Sequence, residues 1–86
     1  MRNNYKMPKA YEMIKDIYKH PETNLSDICR RINITYSHVS KLSQEMQEDQ
    51  IIFKQKTGRK NMLSLTNKGK KIYEGLIKID GALKNE

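Results

Sequence analysis

Eighty-six residues leave room for one small domain and no second core, too little for most enzymes that enclose a substrate. A formal net charge of +7 points to a polyanionic partner, and a single cysteine excludes an intramolecular disulfide. No secretory leader opens the chain and no apolar run approaches the roughly 18 residues of a membrane span, so a reducing cytoplasm and no membrane partner are expected.

Met1 to Met7 is polar and is expected to fray. Pro8 suits a first helical turn, where its missing N–H goes unused. Tyr11, Met13, Ile14, Ile17 and Tyr18 then recur with helical period and predict a first helix over residues 8–20. Pro21 disfavours helix in the residue before it. His20 therefore stands at a helix C-terminus, as a cap or a solvent-facing side chain rather than a metal ligand. Leu25, a lone apolar residue, is expected to form one short strand beside a later hairpin.

Ser26 caps a predicted second helix over residues 26–32, whose Ile28, Cys29 and Ile32 share one face. Cys29 on that face reads as a structural thiol. Asn33-Ile34-Thr35 makes a tight turn: a residue tolerant of the left-handed conformation, an apolar plug, then a second N-cap. The third helix, residues 35–49, carries a narrow apolar stripe at Val39, Leu42 and Met46. Opposite it stand Ser37, Ser40, Lys41, Gln44 and Glu48. A helix held by so narrow a stripe, with small, polar and basic side chains on its far side, is built to be presented. Two short helices in this order form the helix-turn-helix layout, which lays its second helix in a DNA major groove.

After Gln50 the period changes. Ile51-Ile52-Phe53-Lys54-Gln55-Lys56 is rich in strand formers, Thr57-Gly58-Arg59-Lys60 is a turn, and Leu63 and Leu65 share one face of the next run. These predict a hairpin over residues 51–66 with a charged tip. Thr66 caps a last helix, residues 67–84, whose Ile72, Tyr73, Leu76, Ile77, Ile79 and Leu83 exceed what one face of a small domain needs. Gly75 and Gly81 each cost that helix about 1 kcal/mol against alanine. Packing from a second subunit is expected to offset this, through Ile72, Tyr73, Leu76, Ile79 and Leu83. The core is expected to hold Ile14, Ile17, Ile28, Ile32, Ile34, Val39, Leu42, Met46, Ile52, Leu63 and Leu65, with the methionines as gap-fillers.

Charge placement says more than its total. Between Gln50 and Tyr73 stand seven basic residues, Lys54, Lys56, Arg59, Lys60, Lys68, Lys70 and Lys71, and no acidic one. Elsewhere basic and acidic residues balance at ten each. For the three helix lysines a solvated face is an equal reading. For the hairpin, Lys54, Lys56, Arg59 and Lys60 are expected on phosphates or in a minor groove. On the third helix, Ser37, Ser40, Lys41 and Gln44 are the residues expected at base edges, since lysine donates to guanine and glutamine pairs with adenine. Tyr36 and His38 flank that face and suit phosphate or thymine-methyl contacts; packing of His38 against the hairpin is the second choice. Thr35 caps whether or not it touches DNA. Nothing in the chain suggests an enzyme, a cofactor or a metal: no glycine-rich phosphate loop, metal-ligand spacing, nucleophile triad or paired carboxylates in an apolar setting appears.

The order helix, short strand, helix, helix, hairpin, helix now carries specific residues. Leu25-Ser26-Asp27-Ile28-Cys29 opens the second helix and Ile32-Asn33-Ile34-Thr35 makes the turn. Val39-Ser40-Lys41-Leu42 lies in the third helix, Asp49-Gln50-Ile51-Ile52 enters the hairpin, and Gly58-Arg59-Lys60 and Leu65-Thr66-Asn67-Lys68-Gly69 close it. From Tyr11 onward the chain resembles a winged helix-turn-helix domain, and specifically the MarR-like transcriptional regulators. It departs from that pattern at Gln50, where the family usually has glycine. The resemblance implies an α+β, mainly α fold over residues 1–86: a three-helix core, a β-hairpin wing and a C-terminal helix. It further implies a third helix in the major groove, Arg59 in the adjacent minor groove, and a homodimeric, sequence-specific regulator on double-stranded DNA. MarR-type regulators carry extra terminal helices for the dimer and a ligand pocket. This chain is too short for both, which leaves its last helix, with the first, to pair the subunits. Two other readings stand beside this one. A sequence-indifferent DNA-coating or replication accessory protein would use the same basic wing, whereas a winged-helix protein-interaction module would not need the charge concentrated there.

Overall fold

One apolar face of α1 (Lys9–Lys19), formed by Tyr11, Met13, Ile14 and Ile17, is buried beneath the rest of the chain. The computed structural model describes the backbone of residues 9–84 and the side chains of residues 9–82. The stretch expected to fray, Pro8 and the side chain of Leu83 therefore lie outside the described residues. His20 closes α1 as a cap, with Nδ1 placed 3.1 Å from the Asp16 carbonyl, to which its N–H donates. The chain then turns through Pro21 and Glu22, the latter at φ 63°.

The third partner of the hairpin is Thr23, not Leu25. Thr23 exchanges both main-chain hydrogen bonds with Leu63, at 3.2 and 2.6 Å. That pairing holds the next residue, Asn24, extended at φ −124° and ψ 168°, and so makes Asn24 rather than Ser26 the N-cap of α2 (Leu25–Ile32). Its Oδ1 accepts the Asp27 N–H at 2.9 Å while its Nδ2 donates back to the Asp27 carboxylate. Asn33 ends α2 in the left-handed conformation, φ 57° and ψ 57°. Thr35 caps α3 (Tyr36–Glu48), accepting the His38 N–H at 3.3 Å.

The wing is an antiparallel pair, β1 (Ile52–Thr57) and β2 (Lys60–Leu65), joined by the two-residue loop Gly58-Arg59. Gly58 sits at φ +65°, the first loop position, where a II′ hairpin turn requires glycine. Opposite residues share a face. Ile52 and Leu65, Lys54 and Leu63, and Lys56 and Asn61 therefore share the side toward α3, while Phe53 and Ser64 lie on the other, beside Tyr18 of α1. The chain ends in α4 (Asn67–Lys84).

Met13, Ile17, Ile28, Val39, Ile52 and Leu63 are the fully buried centre. Each such side chain contributes about 1.5–3 kcal/mol over an exposed one. Ile14, Met46 and Leu65 join them, and Ile32, Ile34 and Leu42 pack at the rim, half-buried. Cys29 is also half-buried there. Met13 fills the core as the methionines were expected to, whereas Tyr11 and Tyr73 were not expected there. Tyr73 stacks on Tyr18 with ring centroids 4.1 Å apart, so it serves its own chain and is withdrawn from the set expected to meet a second subunit.

Two polar assemblies hold the elements in place. Arg31 of α2 forks onto Asp16 of α1, Nε to Oδ1 and Nη2 to Oδ2 at 2.8 Å each, and reaches the Thr23 hydroxyl at 2.5 Å. At the other end, the turn leaving α3 is fastened to the start of α4. The Thr66 N–H donates to the Ile51 carbonyl, while its hydroxyl donates to the neighbouring Gln50 carbonyl at 2.6 Å and accepts the Gly69 N–H at 3.0 Å. A β-carbon at Gly69 would collide with the Ile51 carbonyl oxygen, so only glycine permits this approach.

Candidate nucleic-acid interface

Helix α3 buries Val39, Ser43 and Met46. At about 100° per residue, the opposite stripe is Ser37, Lys41, Gln44 and Glu48, all exposed. Thr35, Tyr36 and His38 are exposed around the N-terminus of the same helix, and Ser40 is half-buried. Glu48 ends the presented stripe, so only the half of α3 before Gln44 presents no negative charge along it.

The wing packs on one flank of α3. A cleft of about 390 Å³ separates the two, lined by Ser40, Gln44 and Gln47 from the helix and by Lys54 and Asn61 from the wing, with Leu25, Ser43 and Leu63 also on its walls. His38 lies on the opposite flank and is exposed, so it does not pack against the wing. Ser40 and Gln44 thus have a second environment, turned partly toward the wing, which period alone did not reveal. Asn61 was not anticipated at all. Its only sequence signal is a position two residues before Leu63, hence on the same face of β2.

Free positive charge gathers on the wing and at the front of α3. Lys41, Lys54, Lys56, Arg59 and Lys60 are exposed and, among the described residues, form no salt bridge. Lys54 and Lys56 point to the α3 side of the hairpin, Lys60 to its outer side, and Arg59 stands at the tip. Some of the other basic groups are engaged within the protein. Arg30 pairs with Asp27, and Arg31 with Asp16, whose hydrogen bond holds the guanidinium above its ordinary range, against a smaller opposing effect of burial. Lys68 donates to the Asp49 carbonyl. Of the lysines at the start of α4, only Lys70 and Lys71 remain without such a partner among the described residues.

Among the described residues no three His, Cys, Asp or Glu side chains gather so as to hold a metal ion. No helix of the described residues is long and apolar enough to cross a membrane.

Comparison with known proteins agrees with this geometry. No curated protein matches the chain in sequence. Among solved structures, AF1382 of Archaeoglobus fulgidus superposes with a TM-score of 0.85 at 23% identity, covering 95% of this chain and 94% of its own. MepR, a transcription regulator of the Staphylococcus aureus multidrug efflux pump MepA, gives 0.84 at 19% identity, covering 93% of this chain and 62% of its own. FabT of Streptococcus pneumoniae, solved in complex with DNA, gives 0.80 at 21% identity over 96% of this chain and 60% of its own. This chain thus spans about three-fifths of the length of the MepR and FabT chains. At the level of sequence, the family model described as a winged helix DNA-binding domain matches residues 10–69, so the chain belongs to the winged helix DNA-binding domain family.

Proposed function

We propose that the chain is a cytoplasmic, homodimeric transcriptional regulator that reads double-stranded DNA by sequence. One juxtaposition carries this reading: the exposed stripe Ser37, Lys41 and Gln44 stands beside a wing that bears four unpaired cations and no acid. Polar side chains on a presented helix suit base edges in a major groove, and the basic hairpin beside it suits the backbone and the neighbouring minor groove. Thr35, Tyr36, Ser37, His38, Ser40, Lys41 and Gln44 form the helix side of the interface. Lys54, Lys56, Arg59 and Lys60 form the wing side. FabT and a MepR variant, which share the fold, have both been solved on DNA.

Helix α4 supports the dimer. Ile72, Leu76 and Ile79, with Leu83 continuing their spacing, fall along one stripe. Ile72 and Leu76 are half-buried against the core, while Ile79 is 52% exposed and Ile77 41% exposed. Apolar side chains placed beyond the core are the ones a second subunit would cover. A two-fold dimer would place its recognition helices on half-sites about 34 Å apart.

The test is selection from a pool of random-sequence duplexes at two salt concentrations, with the mass in solution of the Ile79→Asp variant measured beside it. A palindromic motif and a lighter Ile79→Asp species are expected. Salt-sensitive binding without enrichment would instead favour a DNA-coating role, and no binding even at low salt would end the DNA reading.

A further inference from the structure

A protein that lays one element in a major groove and another in the adjacent minor groove must straddle the sugar–phosphate strand between them. Here the two elements are α3 and the wing, and the space between them is the cleft of about 390 Å³. We propose that this cleft is the seat of that intervening strand, and that the Asn61 side chain is a phosphate-binding group within it. The inference rests on the DNA reading above and adds to it a site and a residue.

Three observations converge. Ser40, Gln44, Lys54 and Asn61 all carry N–H or O–H donors, and none of these side chains makes a hydrogen bond within the described residues. Gln47, by contrast, has its amide engaged with Ser43 at 3.0 Å. No acidic residue lines the cleft, whereas a comparable hollow beside α1 is lined by Glu12 and Asp16. Finally, strand register puts Lys54, Lys56 and Asn61 on the same side of the hairpin, two from β1 and one from β2, facing α3. A strand entering the cleft meets donors on both walls and a lysine pair leading toward the wing tip. Phosphate contacts of this kind set the register of the protein on the duplex without reading a base. The same placement makes Ser40 and Gln44 border residues, within reach of the strand as well as of the groove.

The experiment compares wild-type protein with Asn61→Lys, Asn61→Asp and Arg59→Ala on one random-sequence duplex over a range of salt concentrations. Asn61→Lys is expected to bind more tightly at low salt and to steepen the salt dependence by about one phosphate's worth. Asn61→Asp is expected to weaken binding about ten-fold or more, since it replaces a donor to a charged oxygen by a like charge. Asn61 is exposed, so thermal melts of both variants should match wild type, which separates a binding loss from unfolding. If neither Asn61 variant shifts affinity or slope while Arg59→Ala reduces both, the cleft proposal fails and the DNA reading stands. If the wild-type protein binds no duplex at all, both fall together.

Discussion

Lys68 Nζ donates to the main-chain carbonyl of Asp49 at 2.8 Å, so the first turn of α4 closes the end of α3. The four last carbonyls of a helix lack intrahelical partners, and a cation is favoured beside them. This lysine also stands near the N-terminus of α4, where its charge is unfavourable. The bond to the end of α3 offsets that cost and fastens α4 to α3. Lys68→Met is expected to lower stability by about 1 kcal/mol, less than a buried charged hydrogen bond because the site is exposed. The salt dependence of duplex binding should not change, since Lys68 already has a protein partner. A slope lower by about 1 would place Lys68 on a phosphate instead.

Gln50 occupies the left-handed region at φ 61°, between Asp49 and the start of the wing. A residue with a β-carbon is strained there, and glycine is not. The departure from the family's glycine thus preserves the turn and adds a conformational cost. Gln50→Gly should raise stability by about 0.5–1 kcal/mol, seen as a melting temperature higher by about 4 °C. Its main-chain carbonyl, which accepts the Thr66 hydroxyl at 2.6 Å, is untouched by the change. A lower melting temperature would show that the Gln50 side chain contributes more than its backbone costs.

What could be read from the chain alone follows from the range over which each signal acts. The turn at Asn33, the caps at Thr35 and Thr66, and the hairpin loop at Gly58 depend on neighbours within four residues, and the structure has each of them. The presented stripe of α3 was legible because its period is local. The cap of α2 was misplaced by two residues because Asn24 owes its extended backbone to the pairing of Thr23 with Leu63, forty residues on. Tyr73 looked available to a partner because the contact that occupies it, the stacking of its ring on Tyr18, is one that no local pattern announces. The cleft between α3 and the wing is likewise a product of packing, which is why Asn61 escaped notice while the lysines around it did not.

The bond from Arg31 to Asp16 spans fifteen residues and has the same character. Asp16 is 8% exposed, and its carboxylate depends on the guanidinium for compensation. Removing one member of such a pair leaves the other buried and uncompensated. Arg31→Met is expected to cost about 2–3 kcal/mol, below the full cost of a deeply buried pair because Arg31 is partly exposed. Chemical denaturation of the variant against wild type measures this. A loss under about 0.5 kcal/mol, the range of an ordinary surface change, would mean that the pair is not structural.

Tyr11 presents the opposite case. Its ring is buried at 4% exposure between α1 and the body of the protein, yet its hydroxyl has no hydrogen-bond partner among the described residues. Burial, then the negative charge of Asp80 and that of Tyr73 once ionised, hold the phenol above its usual pKa. A buried polar group without a partner costs about 1–3 kcal/mol, so Tyr11→Phe should stabilise the protein at neutral pH by about 1 kcal/mol. The pH dependence has a definite sign. A phenol whose folded pKa is raised stays protonated where the unfolded chain has begun to ionise, so its contribution is intact below about pH 10 and is lost as pH rises beyond it. The stability difference between Tyr11→Phe and wild type should therefore be flat from neutrality to about pH 9 and widen above about pH 10 in favour of the variant. Denaturation curves of the two proteins across that range test both parts, and a variant less stable than wild type at neutral pH would show that the hydroxyl is satisfied in solution.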